Sequence, residues 1–541
     1  MRVVDVVARC LHRAGVETFF GVVGSGNFTV TTSLHALGAR FVAARHENGA
    51  ICMADAHARV SGQLGCVSVH QGPGFTNAIT GLTEAAKART PLVLVAADTP
   101  AGETRSNFYV EQAKIAEAVG AVPVRVNRAR SAYADTLKAI RAARGRRAVV
   151  LNLPLDVSGE EAEWPEQPAA TAFPEAPAPN PQSLRAVVEA IERAQRPVII
   201  AGRGAVLSGA REPLIALSEA IGAPVATSAM GHGIFNGYGF SLGISGGFAS
   251  PLAQEVIGAS DLILAFGARL TRWTTANGAL VAPDATVVQF DVDAEGFGDR
   301  ADLTVIGDAA RAASMLAAEG GRPDGRLDGG LRERIGARRW RDEPFDDAST
   351  DRHVDPRALS IALDDMLPEE RTVVVDSGHF MGFPAMYLAV PDPAGFVFTQ
   401  SFQSIGLGLA NAVGAALARP DRLTVAALGD GGAMMGLQEL ETAARLRLPI
   451  LFVVYDDAAY GAEVHHFRPM GHPVETVQFP DADIAAIARG AGCEGVTVRT
   501  LDDLDGVREW LDHRRDRPLL VDAKVDPDVV ADWLEEAFRA A

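Results

Sequence analysis

The sequence predicts an α/β protein made of three doubly wound parallel-sheet domains. Short apolar, β-branched runs recur at 67–69, 91–97, 197–201, 262–266, 286–290, 372–375, 424–428 and 450–454, with helical patterns between them. In most of these runs apolar residues follow one another instead of alternating with polar ones, as expected of strands covered on both faces by helices. Two stretches have no apolar period: 158–182, rich in Pro, Ala and Glu, and 319–333, rich in Gly and charge. Both read as linkers. They divide the chain into expected domains at 1–160, 183–318 and 350–541, a division that suits 541 residues, too many for one core.

The first element follows from Val3, Val4, Val7, Leu11 and Ala14, which fall at helical spacing. This is an amphipathic helix rather than a signal peptide. No run of about 18 apolar, uncharged residues occurs, so no membrane span is expected. The net charge of −18 argues against nucleic acid or an anionic membrane as the main partner. A phosphate-bearing ligand must then be captured locally, by a metal or a helix N-terminus. Cys10, Cys52, Cys66 and Cys493 show no CxxC spacing and read as buried apolar residues in a reducing compartment, the cytoplasm.

In doubly wound sheets, ligands bind at the carboxyl ends of strands. At one such end stands Gly429-Asp430-Gly431-Gly432, followed by a helical pattern with Leu437, Leu440 and Ala444 on its apolar stripe and Glu439, Glu441 and Arg445 off it, a strand, and then Asp456-Asp457-Ala458-Ala459-Tyr460-Gly461. In a βαβ unit both strand ends share one edge, so Asp430 and Asp457 can converge. Two carboxylates with oxygen sites to spare suit a hard dication that also binds phosphate. Glycines beside Asp430 allow close backbone approach. By itself a Gly-Asp-Gly turn is common and does not establish a metal site.

The whole segment resembles the signature of thiamine-diphosphate enzymes, the 2-oxo acid decarboxylase and acetolactate synthase-like family. That signature begins Gly-Asp-Gly and ends in an Asn pair after the same interval. The resemblance implies Mg²⁺ held by Asp430, Asp457 and the carbonyl of Ala459. It also implies diphosphate contacts from Ser377-Gly378-His379-Phe380. Asp456-Asp457 replaces the usual Asn-Asn, adding a carboxylate beside a diphosphate. Gln403-Ser404-Ile405 resembles the segment whose bulky apolar residue, here Ile405, bends the cofactor into a V. Arg45-His46-Glu47-Asn48-Gly49-Ala50, leading into Met53-Ala54-Asp55, resembles the family's catalytic-glutamate segment. There Glu47 hydrogen-bonds the aminopyrimidine and drives the imino tautomer that removes the thiazolium proton. Read from its residues alone, Glu47 is simply a first-turn acid favoured by the helix dipole.

Glu47 and Asp430 sit in different domains, and the family places each active site between two subunits. A homodimer is the expected minimum and a homotetramer the expected assembly. Ser25 and His70 align with catalytic residues of benzoylformate decarboxylases, and Gln71 follows His70. That group's second catalytic His has no counterpart, because 261–300 contains no His. Pyruvate decarboxylases carry a His pair absent from 103–112 here, whereas one of their acids aligns with Glu463. Acetolactate synthases proper have a Gln-Trp segment that is missing, although 68–97 resembles them.

Some relatives hold FAD in the middle domain, but no reliable FAD fingerprint is found. The implied function is decarboxylation of a 2-oxo acid, with the acyl carbanion either protonated to an aldehyde or ligated to a second carbonyl. One rival is a catalytically silent cofactor-binding homologue. Another is a dinucleotide-dependent oxidoreductase, suggested weakly by Gly202-Arg203-Gly204 after a strand.

Overall fold

The computed structural model describes residues 1–319, 330–513 and 515–534. Three six-stranded sheets form, every strand pair parallel. The first contains β1 (Thr18–Gly21), β2 (Arg40–Ala43), β3 (Gly65–Val69), β4 (Leu92–Asp98), β5 (Val122–Arg125) and β6 (Ala148–Pro154), in the order β2-β1-β3-β4-β6-β5. The second contains β7 (Pro197–Ala201), β8 (Val225–Thr227), β9 (Ser241–Ile244), β10 (Leu262–Phe266), β11 (Thr286–Asp291) and β12 (Leu303–Ile306), in the order β12-β11-β10-β7-β8-β9. The third contains β13 (Arg371–Val375), β14 (Phe396–Phe398), β15 (Leu423–Gly429), β16 (Ile450–Asp456), β17 (Glu494–Val498) and β18 (Leu519–Lys524), in the order β14-β13-β15-β16-β18-β17.

The outer two sheets share one winding, so their switch points correspond: β1 beside β3, and β13 beside β15. Crevices open at such points, beyond the strand ends. The central sheet has the winding of dinucleotide-binding folds. Strands β3, β4, β7, β10, β13 and β16 are buried along their whole length, as expected of strands covered on both faces, and so is β6, which the sequence reading did not single out.

The outer domains are joined by two helices, Glu47–Ser61 and Gly408–Ala418, whose residues share one apolar core (Ile51, Met53, Leu409, Val413). Both helices are buried nearly all round, which permits close packing only because small residues line the contact. Gly414 lies so near the Met53 carbonyl that a Cβ would come within 2.0 Å of its oxygen.

The helix expected after Gly429 forms as Asp430–Gly436 and Gln438–Arg445, parted only at Leu437, whose own backbone is helical. Two other sequence expectations need correction. The stretch 158–182 is not a free spacer: Trp164 packs edge-on against Tyr133 and under the Arg9 guanidinium, tying it to the first domain. Of the second expected linker, 319–333, residues 320–329 lie outside the described residues, and its end belongs to a helix, Leu331–Ala337. Residues 535–541 of the expected third domain also lie outside. No helix among the described residues is long and apolar enough to cross a membrane.

Replacing Gly414 by Ala forces the two helices apart. We expect Gly414→Ala to destabilise the protein by about 1–3 kcal/mol in thermal or chemical unfolding, and an unchanged midpoint would show that the interface yields without cost.

Candidate active site

At the carboxyl edge of the third sheet, Asp430 and Asp457 face each other from the ends of β15 and β16. Asp430 is buried and Asp457 half-buried. Burial raises the Asp430 pKa first, and the Asp457 and Asp456 charges raise it further. Burial also raises Asp457, with Asp456 adding to it. Two acids pressed together without a cation hold a proton well above the usual carboxylate range. The donor set therefore fits a hard dication. Asp457 Oδ1 accepts from the Ala459 amide at 3.1 Å, and Ala458 adopts φ 53° in the left-handed region. Tyr460 N donates to Val477 O and Phe479 N to Ala458 O, and no backbone donor among the described residues reaches the Ala459 carbonyl. That oxygen is the third ligand the site can offer. No group of three His, Cys, Asp or Glu side chains among the described residues is placed to hold a metal, so the two acids would share a cation with non-carboxylate oxygens such as this carbonyl.

The cradle is built on close approach. A Cβ on Gly431 would meet the Tyr460 ring at 2.5 Å, and one on Gly461 would meet Asp457 Oδ2 at 2.2 Å. Gly432 follows Gly431 in the first turn of the helix, and Gly429 caps it. Across the switch point, Asp376 is fully buried at the end of β13. Its carboxylate accepts from the amides of Ser377 (2.8 Å), Gly406 (2.9 Å) and Leu407 (3.2 Å). Asp376 thereby fixes the loop that presents half-buried Ile405. Ser404 Oγ donates to the Ile405 carbonyl, and Gln403 holds φ 64°, a strained conformation for a side-chain-bearing residue. Ser377 Oγ donates to Gln400 Oε1 at 3.0 Å.

Not every expected contact points into the site. The Phe380 ring lies in the core, stacked on Tyr455 at 5.5 Å, where it covers Gly378 and Gly429. Any contact from Phe380 to a bound cofactor must come from its backbone. His379 is also buried. Its Nε2 accepts from the Ala531 amide at 2.8 Å, and its ring lies 4.4 Å from that of His465. Burial, then the neighbouring His465, lowers the His379 pKa to about 3, so it remains neutral. His465 is thus a packing partner and not a free surface residue. Glu463 is exposed on the helix Gly461–Phe467.

The first sheet supplies a second cluster. Ser25 Oγ lies 3.4 Å from His70 Nε2, and His70 Nδ1 is 2.9 Å from the Gln71 carbonyl. A carbonyl only accepts, so Nδ1 carries the proton and Nε2 is free to take one. Phe108 packs edge-on against the His70 ring. Gln71 is buried with its Oε1 unpartnered. Glu47, half-buried in the first turn of its helix, accepts from Asn77 Nδ2 at 3.0 Å.

Two acids that the sequence left unassigned organise these groups. Glu439, placed on the polar side of its helix by periodicity, is wholly buried between the outer domains. It accepts from the amides of Arg45 and His46, immediately before Glu47, and from Thr442 Oγ1. Glu84 accepts from Arg59 Nη2 at 2.8 Å and from the Phe402 amide at 2.6 Å, joining the first domain to the Gln403 loop. Only tertiary contact reveals them, although an acid on an otherwise buried helix, as in Leu440–Ala443, is a faint signal.

A cavity of about 710 Å³ lies between the central sheet and the Gln403 loop, lined by Arg89, Arg146, Arg203, Arg269 and Trp273 among others. Arg203 has no hydrogen bond or ion pair among the described residues, and burial lowers its pKa to about 9. Gly202 and Gly204 pack directly on Gly267 and Ala268. Their spacing is therefore explained by strand-end packing and does not itself mark a dinucleotide.

Three family models match in order: the thiamine pyrophosphate enzyme N-terminal TPP binding domain over 1–118, the central domain over 184–316, and the C-terminal TPP binding domain over 376–523. The chain belongs to the thiamine pyrophosphate (thiamine diphosphate) enzymes, in the 2-oxo acid decarboxylase and carboligase family. It is 28% identical to the acetolactate synthase large subunit of Parasynechococcus marenigrum over 90% of this chain and 82% of that protein. It is 29% identical to a sulfoacetaldehyde acetyltransferase of Alcaligenes xylosoxydans xylosoxydans, over 91% of this chain and 87% of the relative. The solved thiamine diphosphate-dependent 4-hydroxybenzoylformate decarboxylase of Rhodococcus jostii RHA1 superposes with a TM-score of 0.83 at 22% identity, covering 98% of this chain and all of that one, which shows a shared fold.

The raised acid pair gives a pH signature. Between the ordinary carboxylate range and neutrality this pair binds more protons in the folded state than in the unfolded one, so its contribution to metal-free stability falls as pH rises. A dication needs both groups ionised and reverses that trend. Buried His57, His232 and His379, whose pKa values burial lowers, act in the opposite direction with or without the metal, so the signature lies in the difference: we expect the melting-temperature increment from Mg²⁺ to grow from about pH 5 to about pH 8. A pH-independent increment in scanning fluorimetry would contradict the facing-acid geometry.

Proposed function

We propose that this chain is a thiamine-diphosphate- and Mg²⁺-dependent enzyme that decarboxylates a 2-oxo acid and either releases the aldehyde or transfers the acyl unit to a second carbonyl. The observation that carries this reading is the facing pair Asp430 and Asp457 beside an open Ala459 carbonyl, within a family whose cofactor is a diphosphate. Asp430, Asp457 and that carbonyl would hold the cation, and Ser377, Gly378, His379 and Gln403 would border the diphosphate and thiazolium. Ile405 would press the two rings towards each other. When bound, the cofactor supplies an electron sink for the pair left behind as the carboxylate departs as CO₂.

This chain's residues manage protons and exclude water. Glu47 would hold a proton at a ring nitrogen of the aminopyrimidine. His70, accepting at Nε2, would exchange a proton with Ser25 or with substrate. Gln71 Oε1 is without a hydrogen-bond partner among the described residues, and Glu463 is exposed, so both have polar atoms to offer.

Several exposed apolar side chains flank the two half-sites: Val23, Phe28 and Phe108 in the first domain, and Phe402, Met434, Met435 and Phe467 in the third. Their exposure in a single chain supports a homodimer in which Glu47 of one subunit serves Asp430 of the other, with a tetramer as its doubling. All four cysteines are free and buried, which supports the cytoplasm as compartment.

A panel of 2-oxo acids, assayed for cofactor-dependent CO₂ with products identified by mass spectrometry, tests the reading. Bound cofactor without turnover would favour a silent homologue instead. Glu47→Gln should lower kcat by roughly 100-fold or more with an unchanged melting temperature; near-normal turnover would remove Glu47 from its role.

A further inference from the structure

Asp456 precedes the proposed metal ligand Asp457 and is itself buried, at 4% exposure. One of its oxygens, Oδ1, accepts from the Ala458 amide at 2.9 Å, within the turn that presents Ala459. The other, Oδ2, is held at 2.6 Å by Lys524 Nζ, from the paired position on neighbouring strand β18. Lys524 is buried too. Its remaining contacts are Asp481 Oδ1 (2.6 Å), the Ala482 carbonyl (2.7 Å) and Asp522 Oδ2 (3.1 Å). Arg499 also serves the more exposed Asp481. Lys524 is thus the ammonium that meets both buried acids, Asp456 and Asp522.

We propose that Lys524 is a positioning residue for the metal loop, the counter-ion that makes an aspartate workable at 456. The inference rests on the metal reading of Asp430 and Asp457. Without the ammonium, Asp456 is a buried carboxylate with a single amide donor, beside two acids and the place proposed for the diphosphate. It would then turn away from the Ala458 amide or swing towards a bound cation. Each response distorts the turn that aims Asp457 and Ala459, and an uncompensated charge repels the diphosphate. A neutral amide at 456 keeps an acceptor for Ala458 and needs no counter-ion, so the lysine and the aspartate form one interdependent unit.

The test is a double-mutant cycle of Lys524→Met and Asp456→Asn, read by Mg²⁺ titration of tryptophan fluorescence at saturating thiamine diphosphate and by the melting temperature of metal-free protein. Lys524→Met should raise half-saturating Mg²⁺ by roughly 10–100-fold, the range for residues that orient ligands from behind. Adding Asp456→Asn should recover most of the lost Mg²⁺ affinity but only part of the lost melting temperature, because buried Asp522 still lacks its ammonium partner. Wild-type affinity in Lys524→Met, or a double variant no better than Lys524→Met alone, would overturn the proposal. If Lys524→Met does not fold, the cycle is run in an Asp522→Asn background, which removes the other buried acid that Lys524 meets: there the Lys524→Met, Asp456→Asn protein must fold and bind Mg²⁺, and failure overturns the proposal. If wild-type protein takes up no Mg²⁺, the metal reading fails instead, and the melting temperatures still report on the counter-ion pairing.

Discussion

Asp430 and Asp457 share a site in which neither can ionise freely. Burial and mutual repulsion push both upward, and Asp456 adds to the strain. The surrounding structure accommodates that repulsion. Gly431 and Gly461 vanish from the space that Tyr460 and Asp457 need, Ala458 bends into a left-handed conformation, and Lys524 takes up the extra charge behind the loop. A cation entering between the two acids would relieve the repulsion, which is the role proposed for this pair.

The same logic extends through the fold. Parallel winding delivers β1, β3, β13 and β15 to switch points, so polar groups cluster at strand ends while the strands remain apolar. Helices Glu47–Ser61 and Gly408–Ala418 weld the outer domains into one core, and buried acids tune the loops around it. Glu439 holds the amides before Glu47, Glu84 holds the amide before Gln403, and Asp376 holds those after Ile405. Each is a carboxylate spent on backbone donors, an arrangement that fixes a loop more sharply than apolar packing can.

Much of this was legible in the sequence. Unbroken apolar runs marked the strands because burial on both faces leaves a local trace. Asp430, Asp457 and Glu47 were singled out through motifs whose glycines answer to close approach. What the sequence concealed depends on tertiary partners. Periodicity placed Glu439 on a polar face, yet that face meets the first domain. Phe380 was expected at the cofactor, but its ring serves the core beneath Gly429. The clamp on Trp164 was hidden in a stretch whose composition suggests an open spacer. The doubled aspartate at 456–457 looked like an unrelieved repulsion, since its partner Lys524 is distant in sequence and adjacent only through the pairing of β16 with β18.

The central claim is that catalysis joins Glu47 of one subunit to the Asp430–Asp457 site of another. Subunit complementation tests it most directly. Glu47→Ala and Asp430→Ala proteins, each inactive alone, are mixed in equal amounts, allowed to exchange subunits, and assayed for cofactor-dependent CO₂ release. A shared site predicts recovery of about a quarter of wild-type activity, since half the dimers are mixed and each holds one intact site. Mixed dimers that form and remain inactive would contradict it.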